Sequence, residues 1–370
     1  MEIKITEFSE ELPQTDDFRS IVLNQTPLID VRAPVEFSQG AFTSACNLPL
    51  MSDDERHRVG ICYKEHGNEV ATRLGHQLVS ESVRAPRVES WIDFIEQNPD
   101  ALLYCFRGGQ RSKISQQWLS EQGRSIVRLK GGYKAFRRYL IDFMDEVPNS
   151  FSEKRIKPLV LAGRTGSGKT LVIHRLKHAL DLEGLAHHRG SAFGRHATPQ
   201  PSQIDFENQL AMALIRFEEQ SIGHLVLEDE GRNIGSVSMS KSIFDYFKSG
   251  PRVVVDTPLE ERVAITLDEY VVQAQQEYPT VEAWIAFMDA ALSRIQKRLG
   301  GERYKRVLQQ FYFANQQQSQ TGDCSAHQVW IETLLVEYYD PMYDYQMGKN
   351  QQPICFKGSM DETVEFLQSY

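Results

Sequence analysis

The sequence predicts two successive α/β domains, the second extended by a helical C-terminal region. Three observations carry this expectation. A chain of 370 residues is too long for one typical core. Short apolar runs alternate with helix-spaced segments from Leu28 to Val147, and the alternation restarts at Pro158. That pattern builds mainly parallel sheets covered on both faces. Between the two series lies Pro148–Arg155, a polar, proline-containing connector. The expected domains are therefore 1–147 and 156–370.

Within the first series, Leu28–Val31, Ala101–Phe106 and Ile126–Leu129 read as strands. Ser112–Gln122 has helical spacing through Ile114, Trp118 and Leu119, and a long helix is expected over Tyr133–Val147 after Gly131-Gly132. In the second series the strands are Pro158–Ala162, His224–Leu227 and Arg252–Val255, with a late one at Pro353–Phe356. Lys169–Leu180 and Phe206–Gln220 read as helices, and Leu259 to about Tyr339 as mostly helical.

Composition narrows the class. Hydrophobic content of 41% and charged content of 25% are ordinary for a soluble globular chain. No apolar run reaches the ~18 residues of a membrane helix, and the acidic N-terminus lacks the apolar core of a secretory signal. The five cysteines are scattered and include no Cys-x-x-Cys pair, which disfavours a disulfide framework or structural zinc. A cytoplasmic location without membrane contact is expected.

A net charge of −9 argues against indiscriminate nucleic-acid binding, yet two stretches run the other way. From Ala101 to Leu140 nine Lys/Arg face Glu121 alone, and from Arg294 to Arg306 six face Glu302 alone. Such stretches attract phosphate-rich partners. They are equally compatible with helix faces balanced by acids elsewhere.

The most specific motif is Gly163-Arg164-Thr165-Gly166-Ser167-Gly168-Lys169-Thr170, a G-x-x-x-x-G-K-[ST] phosphate loop between a strand and a helix. Its glycines let successive N–H groups curl around phosphate oxygens. Lys169 reaches the terminal phosphates and Thr170 is placed to ligate Mg²⁺. The acids after the strand at His224, Asp229 or Glu230, are candidates for the same metal, with Asp229 the first choice. His187–His196 is basic and glycine-bearing, without carboxylates at zinc-ligand spacing, and reads as a phosphate- or RNA-contacting loop.

Cys105 ends a predicted strand and opens the loop Phe106–Arg111, ahead of a helix. Thiolates are favoured beside cations and helix N-termini, and Gly108 and Gly109 permit a tight arc of N–H groups. Arg107 and Arg111 supply positive charge, so Cys105 reads as a nucleophile. Cys-x5-Arg serves cysteine phosphatases and chalcogen carriers alike, and the loop alone does not choose.

Its surroundings favour the carrier. Asp30-Val31-Arg32, Glu36-Phe37, Gly40, Asn47-Leu48-Pro49 and Gly131-Gly132-Tyr133 resemble the landmarks of the rhodanese family over residues 10–145. The whole chain resembles the bacterial tRNA 2-selenouridine synthases. The resemblance rests on those landmarks, CFRGGQRS, GRTGSGKT, the HRGSAFG loop, Gln200-Pro201-Ser202-Gln203 and Tyr338-Tyr339-Asp340-Pro341-Met342-Tyr343-Asp344. It implies a rhodanese-like domain followed by a P-loop NTPase-like domain.

It further implies a transferase that geranylates wobble 2-thiouridine in tRNA from geranyl diphosphate. Selenium from selenophosphate then replaces the geranylated sulfur, with Cys105 as the selenium-carrying nucleophile. Arg107 and Arg111 would hold the selenophosphate, and the phosphate loop the diphosphate with Mg²⁺. Selenophosphate and geranyl diphosphate are co-substrates, no tightly bound organic cofactor is expected, and a selenophosphate-producing enzyme is a candidate partner. The competing expectations are a phosphatase–kinase fusion and a nucleotide-switched binding module. Phe311-Tyr312-Phe313 and Tyr338-Tyr339 are candidates for an apolar groove, or for ordinary core.

Overall fold

The computed structural model describes residues 12–220, 223–349 and 352–370; most of the acidic N-terminal stretch lies outside them. Contacts divide the chain into two compact units. The first runs to Met144 and includes Glu207–Glu219, and the second comprises Asp145–Phe206 and the chain from Gln220 onward.

The first unit is built on five parallel strands: β1 (Gln14–Thr15), β2 (Leu28–Asp30), β3 (Ala45–Asn47), β4 (Leu102–Tyr104) and β5 (Val127–Leu129). Their order is β1-β5-β4-β2-β3. The apolar runs read from sequence supply the central strands, with Leu28, Ile29 and Leu103 fully buried. The short outer strands β1 and β3 escape sequence reading because register with a neighbour defines them. Helical segments over Asp53–Leu78, broken at Gly67 where φ is +80°, and over Glu81–Gln97 fill a stretch for which no element was expected. Ser52 and Glu55 cap the first reciprocally. From the second, Trp91 stacks on Trp118 at 6.3 Å in the core.

The connector does not break the chain. Gly132–Glu153 is one helix running through Pro148. Met144, Val147 and Phe151 are all buried at helical spacing, so packing outweighs the hydrogen bond that proline removes.

The second unit holds β6 (Lys157–Ala162), β7 (Ala179–Leu180), β8 (His224–Glu228), β9 (Asn233–Ile234), β10 (Val237–Ser238), β11 (Arg252–Val255) and β12 (Ile354–Gly358). A parallel sheet has the order β12-β11-β6-β8-β7, and β9 pairs with β10 antiparallel. The helix expected over Lys169–Leu180 stops at His174, because Ala179 and Leu180 pair with Val226 and Leu227. The helical region packs around fully buried Trp284 and Phe311. Two wide π-helical turns interrupt it, at Asp268–Gln273 and Leu335–Tyr339. Among the described residues no helix is long and apolar enough to cross a membrane.

Candidate active site

Two strand–loop–helix junctions hold the candidate residues, one in each unit. In the first unit Cys105 follows β4 and is 3% exposed. Its thiol donates to Ser112 Oγ at 3.2 Å, and the Ser112 hydroxyl donates to Gly109 O at 3.0 Å. The loop closes against Gly131-Gly132, where a Cβ on Gly132 would lie 2.2 Å from Cys105 O. With φ at +59°, Gly132 fits where a side chain would not. Arg128 Nη1 donates to Gly108 O at 2.7 Å from beneath.

These contacts engage the loop's carbonyls and leave its backbone donors facing no partner. Among the described residues, none of the backbone N–H groups of 106–112 donates within the protein. A run of free N–H groups before the helix Gln110–Glu121 is a ready anion cradle.

The two arginines differ. Arg107 is exposed, its guanidinium 5.9 Å from the Phe106 ring centre. Arg111 donates through both terminal nitrogens to Glu36, at 2.5 and 3.1 Å. Burial opposes the charge on Arg111, but Glu36 outweighs it and holds the guanidinium pKa above its ordinary value. Burial likewise raises Glu36, but Arg111 and Arg56 leave its carboxyl below the usual range. Arg111 is therefore a fixed cation at the loop's end. The other landmarks are structural: Arg32 Nε donates to Asp30 Oδ2 at 2.8 Å, and Asn47 Nδ2 donates to Arg32 O at 2.9 Å.

In the second unit the phosphate loop joins β6 to the helix Lys169–His174. Gly168 takes φ +79°, where a Cβ would meet Met360 Sδ at 2.3 Å. Lys169 Nζ folds back onto Gly163 O at 3.0 Å. The buried Ser167 hydroxyl has no hydrogen-bond partner among the described residues. Arg164 turns to Asp340 at 3.2 Å and Asp344 at 2.8 Å. Arg262 also grips Asp340, through both terminal nitrogens, while its Nε donates to Thr165 O at 3.0 Å. The acids of the YYDPMYD segment thus brace the loop.

A family model described as the tRNA 2-selenouridine synthase AAA domain matches residues 156–370, and a rhodanese-like domain model matches 14–139. A tRNA 2-selenouridine synthase of Hydrogenovibrio crunogenus is 60% identical, covering 96% of this chain and 99% of the relative. One from Sulfurovum is 54% identical over 98% and 100%, and one from Marinobacter nauticus 46% over 96% and 98%. The chain belongs to the tRNA 2-selenouridine synthase family.

In this family member the phosphate loop opens onto a cleft of about 1190 Å³. Both π-helical turns reach it, with Glu269 and Tyr270 from one and Tyr338 and Tyr339 from the other. Phe311 is core instead, while Tyr312 and Phe313 are exposed. The His187–His196 loop also lines the cleft, its two terminal imidazoles stacked at 4.1 Å.

Asp229, the first-choice metal ligand from sequence, forms an ion pair with Lys248. The carboxylates gathered beside Thr170 are Glu183 and Glu230. Thr170 Oγ1 donates to Glu183 Oε2 at 3.3 Å, and a Cβ on Gly190 would touch Oε1 of both glutamates. Burial, then the charge of Glu183, pushes Glu230 up to about 8. A hydroxyl and two converging carboxylates form the oxygen-only donor set that Mg²⁺ favours beside phosphates. Among the described residues no group of three or more His, Cys, Asp or Glu forms a metal cluster, so phosphate and water would complete the shell. Glu183 went unread because it lies in no motif, on a short helix (Leu182–Ala186). Only the fold brings it to Thr170.

Proposed function

We propose that the chain installs 2-selenouridine at the wobble position of tRNA in two steps, run from its two anion-binding loops. The observation that carries this reading is the pair of cradles in one family member. One is headed by a sulfur nucleophile and the other by a lysine.

In the first step the 2-thiouridine sulfur attacks C1 of geranyl diphosphate. The S–C bond forms, the C–O bond breaks, and pyrophosphate leaves with the electron pair. Lys169 and the N–H groups of 163–170 stabilise that leaving charge. Mg²⁺, held by Thr170, Glu183 and Glu230, would add further neutralisation. The alkylation turns a poor thiocarbonyl leaving group into a thioether-like one.

In the second step selenium from selenophosphate replaces geranylthiol at C2. Electron balance constrains how Cys105 takes part. A selenosulfide on Cys105 with release of phosphate needs a two-electron oxidant; without one, phosphorus must leave as phosphite. Attack of Cys105 on phosphorus is redox-neutral. The S–P bond forms, the P–Se bond breaks, and the thiol proton leaves with selenium as HSe⁻. Selenide then adds to C2 and expels geranylthiol, and water releases inorganic phosphate from the cysteine. Free N–H groups and Arg111 suit the phosphoryl oxygens of that route.

Mass spectrometry of tRNA nucleosides tests the order, with each co-substrate alone and both together. Geranyl diphosphate alone should yield S-geranyl-2-thiouridine, and 2-selenouridine should require both. Selenation at full rate without geranyl diphosphate would refute the sequence of steps. ³¹P NMR should find phosphate released; phosphite would show attack at selenium.

A further inference from the structure

The two basic stretches in the sequence fare differently once folded. In the first, Arg111 pairs with Glu36, Arg124 with Glu96, Lys130 with Asp16, Arg137 with Glu207 and Arg138 with Asp142. Most of its excess charge is thereby cancelled. In the second, Arg303 and Arg306 both pair with Glu337. Arg294 and Arg298 have no carboxylate partner among the described residues, and both line the phosphate-loop cleft from the helix Val281–Leu299. Arg195, from the His187–His196 loop, joins them there, exposed and equally unpaired.

Helix-terminal charge accounts for Arg298, a cation in the last turn where the helix dipole favours one. It does not account for Arg294 or for the approach of Arg195 from a separate element. Burial and then the charge of Arg195 hold the Arg294 guanidinium below its ordinary pKa, so the two repel. Spacing Arg294 and Arg298 four residues apart on a helix adds a second unfavourable like-charge pair. Glu277, a cleft carboxylate bonded to that loop, is already engaged, accepting from Arg189, His196 and Ala197 N. An unneutralised set of this kind is a site for an anion the protein does not itself supply.

We infer that Arg195, Arg294 and Arg298 hold backbone phosphates of the tRNA, flanking the base that enters the phosphate-loop cleft. This rests on the reading of tRNA as substrate. The diphosphate of geranyl diphosphate already has Lys169 and the loop's N–H groups, and a cleft of about 1190 Å³ exceeds what that co-substrate fills, its geranyl chain included. The remaining space suits a nucleobase turned out of its stack, whose flanking phosphates stay at the exposed rim. Arginine forks match phosphate oxygens there bidentately.

The test measures binding of a fluorescein-labelled tRNA carrying wobble 2-thiouridine across a salt series, alongside pyrophosphate binding by calorimetry. The full-length R195A/R294A/R298A variant should bind tRNA at least tenfold more weakly. Its slope of log K against log salt should fall by about 2–3, roughly one for each phosphate no longer neutralised. Pyrophosphate affinity should stay within twofold. R303A/R306A, which removes cations already paired with Glu337, should leave the tRNA slope unchanged. R195A alone, on a different element, should lower the slope by about one, which separates removal of a phosphate partner from disturbance of the helix. Unchanged tRNA affinity and slope in the triple variant would overturn the assignment while tRNA as substrate stands. Loss of pyrophosphate binding with tRNA binding intact would overturn it in favour of the small co-substrate. Absence of tRNA binding by the unaltered protein would instead overturn the underlying functional reading.

Discussion

The cysteine loop and the phosphate loop solve the same problem in opposite ways. Each follows a parallel strand, uses glycines to bring N–H groups round, and precedes a helix. In the first, the cation is locked in place, since Arg111 lies in a two-pronged pair with Glu36. In the second it has no carboxylate partner among the described residues, and Lys169 rests on a backbone carbonyl of its own loop. A fixed guanidinium suits a cradle that must aim a sulfur at one atom. A lysine on a flexible stem suits a diphosphate whose charge grows as it leaves.

Variants in each loop break or sharpen that contrast. The largest effect is expected from Cys105→Ser. Selenation should fall by about a thousandfold or more, with geranylation kept, in the nucleoside assay. Loss of both activities would show the two loops to be one catalytic unit. Lys169→Ala should lower geranyl transfer by about 10²–10³-fold, as expected for removing a charge-stabilising donor. Selenation of pre-geranylated tRNA by that variant should be near normal.

Glu36→Gln tests the fixed cation. Releasing Arg111 should slow selenation by about tenfold and destabilise the first unit by about 2 kcal/mol, read by thermal unfolding. Geranylation should not change. An unaffected selenation rate would mean that Arg111 needs no anchoring.

The last effect concerns pH, leaves both loops intact and belongs to the second unit alone. His327 is fully buried, accepting from Trp330 Nε1 at 2.9 Å, and burial lowers its pKa from 6.5 to about 4. The unfolded chain takes up that proton first as pH falls. Its stabilising contribution is therefore complete above pH 6.5 and is lost between pH 6.5 and about 4. The loss should be on the order of 3 kcal/mol, and His327→Gln should flatten the dependence, measured by denaturant unfolding at pH 7, 5.5 and 4.5.

Much of this molecule is local, and local features can be read from a string of residues. Central strands announce themselves as apolar runs, and GRTGSGKT carries its own geometry in its glycines. The position of Cys105 between strand and helix was legible for the same reason. Charge was not. The stretch around Cys105 looked more basic than the one from Arg294 to Arg306, yet partners as distant as Glu207 cancel most of it. Among the described residues, the cleft's arginines without a carboxylate partner are Arg195 and two from a helix about a hundred residues further along. Glu183 is likewise invisible beside Thr170 until β7 and the helix after it fold back.

The sequence by itself determined the two α/β units, the place of Cys105 between strand and helix, and the phosphate loop, because backbone periodicity and glycine conformation are set by neighbouring residues. Only the tertiary structure decided which charges remain free and which carboxylates meet Thr170. It also decided that the helix after Gly131 runs on through Pro148. Coulomb pairing and packing act across space, between residues whose separation in sequence carries no information.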